Sequence, residues 1–276
     1  MPPPVLLAFA FVWGAVWGSF LNVVIVRWPG SIVSPGSRCT SCGASIRAYD
    51  NIPILSYLLL RGRCRACKAR FSGRYAVVEL LTASLSVALV QLTIVGGLGP
   101  LGARVGTYVS LFAFTCALVA ISFIDLERRL IPDVISIPGT LVGLLFAAVL
   151  PRPGLAQAAL GAAGGYLLVW LVFNRGWQAL RGRPGMMMGD AKLLAMVGAF
   201  LGWKGALFSL LCGSVLGSIA GVVTAVRARK EGGGSGPGVM LTQVPFGPFL
   251  ALGALTHVFF GARVIAWYLS LGEVVS

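Results

Sequence analysis

The chain has 276 residues, of which 57% are hydrophobic and only 11% are charged, and its mean hydropathy is +0.89. A typical soluble domain carries about 25% charged residues, so this composition excludes an ordinary soluble protein. The 22 Lys and Arg residues outnumber the 8 Asp and Glu residues, which gives a formal net charge of +14. Because long apolar runs recur along the chain, this excess predicts basic loops that face anionic lipids and does not require nucleic acid.

Eight apolar segments are long enough, or nearly so, to cross a bilayer as helices. The sequence therefore predicts an all-α polytopic membrane protein of about eight transmembrane helices. No basic residue precedes the first segment and no small-x-small cleavage site follows it, so we expect a retained anchor rather than a secretory signal. The predicted spans are 5–26, 76–96, 105–125, 134–150, 155–173, 190–203, 205–226 and 247–271.

The basic residues predict the orientation of these spans. If the N-terminus lies outside, four segments face the cytoplasm, and they hold eighteen of the 22 Lys and Arg residues. The positive-inside rule favours this arrangement. The span 190–203 is short, so either the bilayer thins there or Asp190 lies deeper in the membrane. The predicted cytoplasmic segments are 27–75, 126–133, 174–192 and 227–246; the last includes a Gly-rich tract, 231–238, that predicts a flexible linker.

The segment 27–75 contains two Cys-x-x-Cys pairs separated by twenty-one residues. Two such hairpins can present four thiolates tetrahedrally, at nearly the spacing of a zinc ribbon. A disulfide is the alternative, which a cytoplasmic location disfavours, and no βαβ pattern supports a thioredoxin-like redox pair. Four thiolates leave no open position for water, so the predicted Zn²⁺ is structural and supplies folding energy to a small module. The predicted ligands are Cys39, Cys42, Cys64 and Cys67.

These observations predict that the chain is divided into three parts. Residues 1–26 form the first transmembrane helix, residues 27–75 form the cytoplasmic zinc-binding module, and residues 76–276 form a membrane core of about seven helices.

Four of the scarce acidic residues lie near the predicted cytoplasmic face, where an ionisable group at membrane depth is costly and becomes a functional candidate. Asp133 precedes an apolar run, which favours helix capping, and Glu127 is interpreted as one half of a solvated ion pair. Asp125 and Asp190 lie at the ends of two predicted spans. If they share one proton they can activate a water and protonate a leaving amine, although a proton or ion pathway explains them equally well from composition alone.

Six features of the sequence match one family in order along the chain: GSFLNVVIVRWP (18–29), the cysteine pairs, DNIPILSYLLLRGRC (50–64), IDLERRLIPD (124–133), GDAKLLAMVGAFLGW (189–203) and VPFGPFLALGAL (244–255). They resemble the type IV prepilin peptidases, a family of bacterial inner-membrane enzymes. The resemblance implies an aspartic peptidase that removes a short basic leader, at the cytoplasmic face, from prepilins or from the pseudopilins of type II secretion. Its two catalytic aspartates correspond to Asp125 and Asp190. Members with the four cysteines usually also methylate the new N-terminal amine with S-adenosylmethionine, and we expect the same here.

One position departs from the family pattern, because Met187 stands where the Gly-x-Gly-Asp motif has its first glycine. Asn22 and Glu79 are polar residues in apolar surroundings. We expect an interhelical hydrogen bond for Asn22 and an arginine partner for Glu79, although either could contact the methyl donor. The single histidine, His257, is interpreted as a buried, hydrogen-bonded imidazole.

Two other classes of function account for this sequence less well than a peptidase does. A proton-coupled transporter would account for acids inside the membrane, but it would not account for a zinc ribbon between the first two spans. A purely structural assembly factor would not need acids at the membrane face.

Overall fold

The computed structural model describes residues 3–33, 36–39, 41–182, 186–230 and 245–273. Among these residues the regular structure is helical, and the only β-pairing is two isolated antiparallel bridges. Six helices are long and apolar enough to cross a membrane, which confirms an all-α, multi-pass membrane protein; the count of eight stays a prediction. The predicted linker tract, 231–238, lies outside the described residues. The six helices are Pro3–Arg27, Arg74–Val95, Leu101–Arg128, Leu155–Leu180, Met188–Val226 and Gly247–Trp267.

The α-helices of the described chain are numbered in order. A 3₁₀ turn at Ala48–Asn51 precedes α2, and π-helical turns continue α3 through Gln91–Val95 and α6 through Val169–Gly176. The helices are α1 (Pro3–Arg27), α2 (Leu55–Leu59), α3 (Arg74–Val90), α4 (Leu101–Arg128), α5 (Asp133–Val149), α6 (Leu155–Leu168), α7 (Trp177–Arg181), α8 (Met188–Lys230) and α9 (Gly247–Glu273).

Local sequence explains several of the helix ends. Proline disfavours a helical conformation in the residue before it, and α1 ends at Arg27, two residues before Pro29. Helix α5 begins directly after Pro132, whose backbone is extended, and it carries an acid in its first turn, where the helix dipole favours negative charge. Gly182 ends α7 in the left-handed conformation that glycine adopts without steric cost.

The chain forms two compact units, Met1–Ala120 and Ile121–Ser276. In the first unit, α1 packs against α3 through small residues. A Cβ atom on Gly14 would lie 2.7 Å from the Cα atom of Ala83, and one on Gly18 would lie 2.6 Å from that of Glu79. Helices in lipid associate through close packing rather than through hydrophobic burial, so these glycines bring the two backbones together. Ser86 adds a hydrogen bond of 2.7 Å to the carbonyl of Ala10.

In the second unit, α8 packs against α5, α6 and α9. A Cβ atom on Gly161 of α6 would lie 2.6 Å from the carbonyl oxygen of Gly198, so only glycine permits this crossing. On the α9 side, His257 packs its ring against Phe208 at 5.3 Å between centroids. The prediction that its imidazole is hydrogen-bonded is wrong for one nitrogen, because the buried Nδ1 atom has no partner within the described chain.

Helix α8 is interrupted at Gly202, which has φ 73° and ψ 179°. This is a conformation that residues with a side chain rarely adopt. The sequence predicts two spans, 190–203 and 205–226, on either side of this point. The structure places the break one residue inside the end of the first predicted span.

Candidate active site

The two cysteine pairs form two hairpins of the same construction. In the first, the Cys39 N–H donates to the Ala44 carbonyl at 2.9 Å; in the second, the Cys64 N–H donates to the Ala69 carbonyl at 2.8 Å. The fifth residue of each hairpin is left-handed, with φ 71° at Gly43 and φ 61° at Lys68. Each hairpin is closed by an antiparallel bridge, Arg38–Ser45 and Arg63–Arg70.

The hairpins bring the four thiols together. The Sγ atoms of Cys39, Cys42, Cys64 and Cys67 all lie within 4.8 Å of one another, and none of these cysteines is in a disulfide. The Cys39 and Cys67 sulfurs are 3.9 Å apart. A tetrahedral Zn²⁺ with Zn–S bonds of about 2.3 Å requires sulfurs about 3.8 Å apart, so this donor set fits the ion. Backbone N–H groups of Cys42 and Ser41 lower the pKa of the Cys39 thiol to about 6. At Cys67 the Ala69 N–H lowers the pKa, but hydrogen bonds among the four thiols raise it to about 11. Without a metal the cluster therefore favours a thiolate at Cys39 and a thiol at Cys67.

A cavity of about 390 Å³, here called the module cavity, lies beside the hairpins in the first unit. The aromatic residues Tyr57, Phe71 and Tyr75 line it, together with the carboxylate of Glu79. Around it, Arg65 donates two hydrogen bonds of 2.6 and 3.0 Å to Asp50 Oδ1. These bonds hold the pKa of Asp50 below its usual value. Its remaining lining includes Arg38, Ser45, Arg47, Gly62 and Cys64.

Two polar residues of α1 and α3 hold the base of this module. Asn22 donates from Nδ2 to the Tyr75 carbonyl at 3.0 Å, which is the interhelical bond that the sequence predicts. Glu79 is 8% exposed and accepts the Ile54 N–H at 2.7 Å. The prediction of an arginine partner for Glu79 is therefore wrong, because its carboxylate satisfies the backbone of the module instead.

Both predicted catalytic aspartates line one cleft of about 670 Å³ in the second unit. Asp125 is 5% exposed and Asp190 is 7% exposed. The cleft also has aromatic walls, from Phe173 and Phe246, and one cation, Arg129. Two nearly buried carboxylates at the edge of an apolar cleft are the kind of convergent polar groups that mark a binding or catalytic site.

Asp125 lies in the last turn of α4, and its carboxylate is directed at the start of α9. The Gly247 N–H donates to Asp125 Oδ2 at 3.0 Å. This bond satisfies one of the backbone donors that a helix leaves unpaired at its N-terminus, where the helix dipole also favours an anion. Oδ1 has no hydrogen-bond partner among the described residues and is available to a ligand.

Asp190 is held in the first turn of its own helix, α8. Its Oδ2 atom accepts the Met187 N–H at 3.1 Å, and its own N–H donates to the Met187 carbonyl at 3.1 Å. The first of these bonds is one of the two that form a capping box, in which the side chain of the third helical residue accepts the backbone N–H of the N-cap residue. The Met187 side chain is 57% exposed, so the residue that replaces the family glycine contributes its backbone to Asp190. A Cβ atom on Gly189 would lie 3.0 Å from that of Ile131, which explains the retained glycine.

The other two acids have different surroundings. Asp133 is the first residue of α5, directly after the N-cap Pro132, and among the described residues its side chain accepts from Lys192 and from no backbone N–H of the helix start; the prediction of a capping bond is therefore wrong. Its carboxylate instead pairs with the Lys192 ammonium at 2.6 Å, at an edge of the cleft where Asp133 is 54% exposed. Glu127 is exposed on the last turn of α4 and does not line the cleft.

Three further groups around the aspartates were not predicted. They are the Gly247 N–H, the Arg129 guanidinium, and a small-residue wall on α8 formed by Ser214, Gly217 and Ser218. The small residues recur at three- and four-residue intervals, which is the helical signal that could have identified them. The glycine between Phe246 and Pro248, at the start of an apolar run, is a comparable signal for a close backbone approach.

Comparison with known proteins gives two adjacent family matches. Residues 12–93 match the bacterial peptidase A24 N-terminal domain, and residues 112–222 match the type IV leader peptidase family. A prepilin leader peptidase/N-methyltransferase of Aeromonas hydrophila is 37% identical over 97% of this chain and 95% of its own length. The protein of that name from Pseudomonas putida is 38% identical over 96% and 94%.

The relative from Myxococcus xanthus, which carries the same name, is 39% identical over 83% of this chain and 66% of its own length. No solved structure matches the chain. The relatives match over nearly the full length of the chain, and both aspartates lie inside the second matched segment. The chain therefore belongs to the type IV leader peptidase family.

Proposed function

We propose that the protein cleaves the short basic leader from type IV prepilins or type II pseudopilins, with Asp125 and Asp190 as the catalytic pair. The observation that carries this proposal is that both carboxylates are nearly buried and line one cleft. Each uses Oδ2 to accept a single backbone N–H, which fixes its orientation and leaves the other oxygen for water or substrate. The transporter alternative gains no support, because the relatives are named as leader peptidases and methyltransferases.

In this mechanism one carboxylate is ionised and accepts a proton from the attacking water. The other carboxylate is protonated and donates its proton to the amine that leaves. The apolar wall of Phe173 and Phe246 excludes bulk water, which strengthens the electrostatic interactions between the aspartates and the reacting peptide. The Asp133–Lys192 pair lies at the edge and takes no part in proton transfer.

Replacement of either aspartate by asparagine tests this assignment. Asp125→Asn and Asp190→Asn keep the shape of the side chain and its capacity to accept the backbone N–H, but they remove the carboxyl group that accepts or donates the proton. Purified protein is incubated with a prepilin, and mass spectrometry detects the mature form. We expect leader removal to be abolished in both variants while Asp133→Asn retains it; normal cleavage by Asp125→Asn would show that the pair is wrongly assigned.

We also propose that the chain methylates the new N-terminal amine and that the module cavity binds the methyl donor. S-adenosylmethionine supplies an electrophilic methyl group on a sulfonium, together with an adenine ring, a ribose and a charged amino-acid end. The aromatic residues Tyr57, Phe71 and Tyr75 suit the adenine and the sulfonium cation. The buried Glu79 carboxylate suits the cationic or hydroxyl groups, and the arginines at Arg38 and Arg47 suit the carboxylate. A cavity of about 390 Å³ lies within the range usual for small-molecule sites.

The test of this second proposal is direct binding. S-adenosylhomocysteine, the unreactive product, is titrated calorimetrically into the full-length chain and into Glu79→Gln. We expect binding to weaken at least about tenfold when the carboxylate is replaced, whereas Glu127→Gln, a matched loss of one exposed carboxylate elsewhere, should bind normally. Equal affinity in all three proteins would place the donor elsewhere.

The remaining features of the proposal concern metal, membrane and organisation. The four cysteines are proposed to hold structural Zn²⁺, which closes the module. The chain is proposed to lie in the bacterial inner membrane with its N-terminus outside and the active site at the cytoplasmic face. The functional division is 1–26 for the first helix, 27–75 for the zinc module and 76–276 for the peptidase core.

A further inference from the structure

A second basic surface of the zinc module has no role in either proposed reaction. It is a recess of about 450 Å³ formed by the end of α2 and the second cysteine hairpin, here called the basic recess. No acidic residue lines it. Its lining consists of Leu59, Leu60, Arg61, Arg63, Cys64, Lys68 and Arg70.

The four cations of the basic recess are exposed, and within the described residues their side chains have no hydrogen-bond or ion-pair partner. Two cations of the module cavity differ in this respect, because Arg65 pairs with Asp50 and Arg47 donates to the Tyr49 hydroxyl. Two of the recess cations, Arg63 and Arg70, are held side by side by the backbone bridge that closes the hairpin. A preformed group of like charges, with no counter-charge from the described residues, attracts an external anion.

The recess continues into an apolar surface on α2. Leu55 is 48% exposed, Leu58 is 65% exposed and Leu59 is 74% exposed. A five-residue helix with three exposed leucines has too little polar surface to face water, and cations beside exposed aliphatic side chains are typical of segments that lie in the membrane interface.

The contacts of the residue before α2 indicate its depth relative to the transmembrane helices. The Ile54 N–H donates to Glu79 at 2.7 Å, and Glu79 lies beside Gly18 of α1, where a Cβ atom would be 2.6 Å from the Glu79 Cα. Gly18 precedes the cationic end of α1, at Arg27, by nine residues, which is about 13 Å along a helix. Measured along α1, helix α2 therefore starts nearer the middle of the membrane than the residue at which α1 ends.

We infer that the basic recess binds the phosphate of an anionic phospholipid and that the exposed leucines of α2 insert between the neighbouring acyl chains. The bilayer that the chain spans supplies both parts of this ligand at the depth where α2 lies. The interaction attaches the zinc module to the membrane surface through the basic recess, whose cations attract the anionic headgroups. It rests on the contacts of the module and does not depend on the proposed reactions.

The test uses the full-length protein in nanodiscs of phosphatidylcholine alone or mixed with phosphatidylglycerol. Hydrogen exchange of residues 55–63 should slow in the mixed discs, and native mass spectrometry should detect phosphatidylglycerol retained after delipidation. The double variant Arg63→Gln/Arg70→Gln should lower this retention by about 30-fold, since each cation near an anionic surface contributes a factor of about five. The variant Leu58→Ser/Leu59→Ser should restore fast exchange while the lipid is still retained in part.

The matched control is Arg38→Gln/Arg47→Gln, which removes the same charge from the module on its other side. It should retain phosphatidylglycerol normally, and bound zinc should be equal in all proteins as a check on folding. Equal retention in the test and control variants would overturn the inference, because the attraction would then reflect net charge alone. Two other results would overturn the inference as well. One is that inorganic phosphate, in lipid-free detergent, binds as tightly as phosphatidylglycerol; the other is that prepilin, and not lipid, slows the hydrogen exchange of residues 55–63.

Discussion

The close contact between Gly247 and Asp125 makes a strong prediction about leader cleavage. In Gly247→Ala the new Cβ atom would lie 2.7 Å from Asp125 Oδ2 and 3.3 Å from its Cγ. Ordinary van der Waals contact begins at 3.4 Å, so the carboxylate must move by about 0.7 Å or α9 must shift. The N–H donor itself is retained, so the change tests position and not the loss of a hydrogen bond.

The expected magnitude follows from this displacement. A misplacement of about 1 Å in a catalytic group costs about 100-fold in rate, so we expect kcat for leader cleavage to fall by about 10–100-fold with a smaller change in KM. Overpacking at one site costs about 1–3 kcal/mol, which alanine partly offsets because it favours helix over glycine. The protein should therefore remain folded while its cleavage rate falls.

The assay is cleavage of purified prepilin at several concentrations, with the products weighed by mass spectrometry. Gly164→Ala is the matched control, because a Cβ atom at that helical position of the same unit meets no neighbour within 4 Å. It should cleave at the wild-type rate. Wild-type kcat in Gly247→Ala would refute the reasoning, since it would mean that the position of Asp125 beside α9 is unimportant to the reaction.

Three further predictions concern the zinc module and the acids. Cys39→Ser removes one of four ligands, so the segment 27–75 should lose zinc and become protease-sensitive; metal analysis and limited proteolysis check this, and one bound zinc with normal resistance would contradict it. Lys68→Gly should slightly raise the resistance of this segment to proteolysis, because a lysine in the left-handed conformation is strained by about 1 kcal/mol. Gly43→Ala should lower that resistance for the same reason, and the reverse order would contradict the hairpin geometry. The pH–rate profile of cleavage should fall on both the acid and the alkaline side, because one carboxylate must be ionised and the other protonated, and a flat profile would contradict the paired mechanism.

Local sequence patterns predicted the features that depend on neighbours in the chain. The apolar runs predicted the order of the helices, and the Cys-x-x-Cys spacing predicted hairpins that can gather four thiols. The features that were missed join distant residues. Asp133 pairs with Lys192, fifty-nine residues away, and Asp125 accepts the N–H of Gly247, 122 residues away. Capping propensity describes one helix end alone and cannot indicate such partners.

The short span 190–203 shows a second limit of sequence analysis. The sequence requires either a thinner bilayer or a deeper aspartate, because about twenty residues are needed to cross the hydrocarbon. That requirement applies to a helix that faces lipid. In the structure this part of α8 is enclosed by protein, and Gly143 of α5 packs against the ring of Phe200.

The enclosure of this segment also has a consequence for motion. Every residue from Asp190 to Phe200 is buried except Lys192, and the segment ends at the break in Gly202. Backbone amides in such a position exchange with solvent only when the whole surrounding unit opens. We therefore expect the amides that follow Asp190 to be among the best protected of the second unit, whereas the Ser214–Ser218 wall lies beyond the break, where more residues are exposed. Any adjustment of the cleft to a bound segment should therefore fall on its other walls, and Asp190 should keep its position.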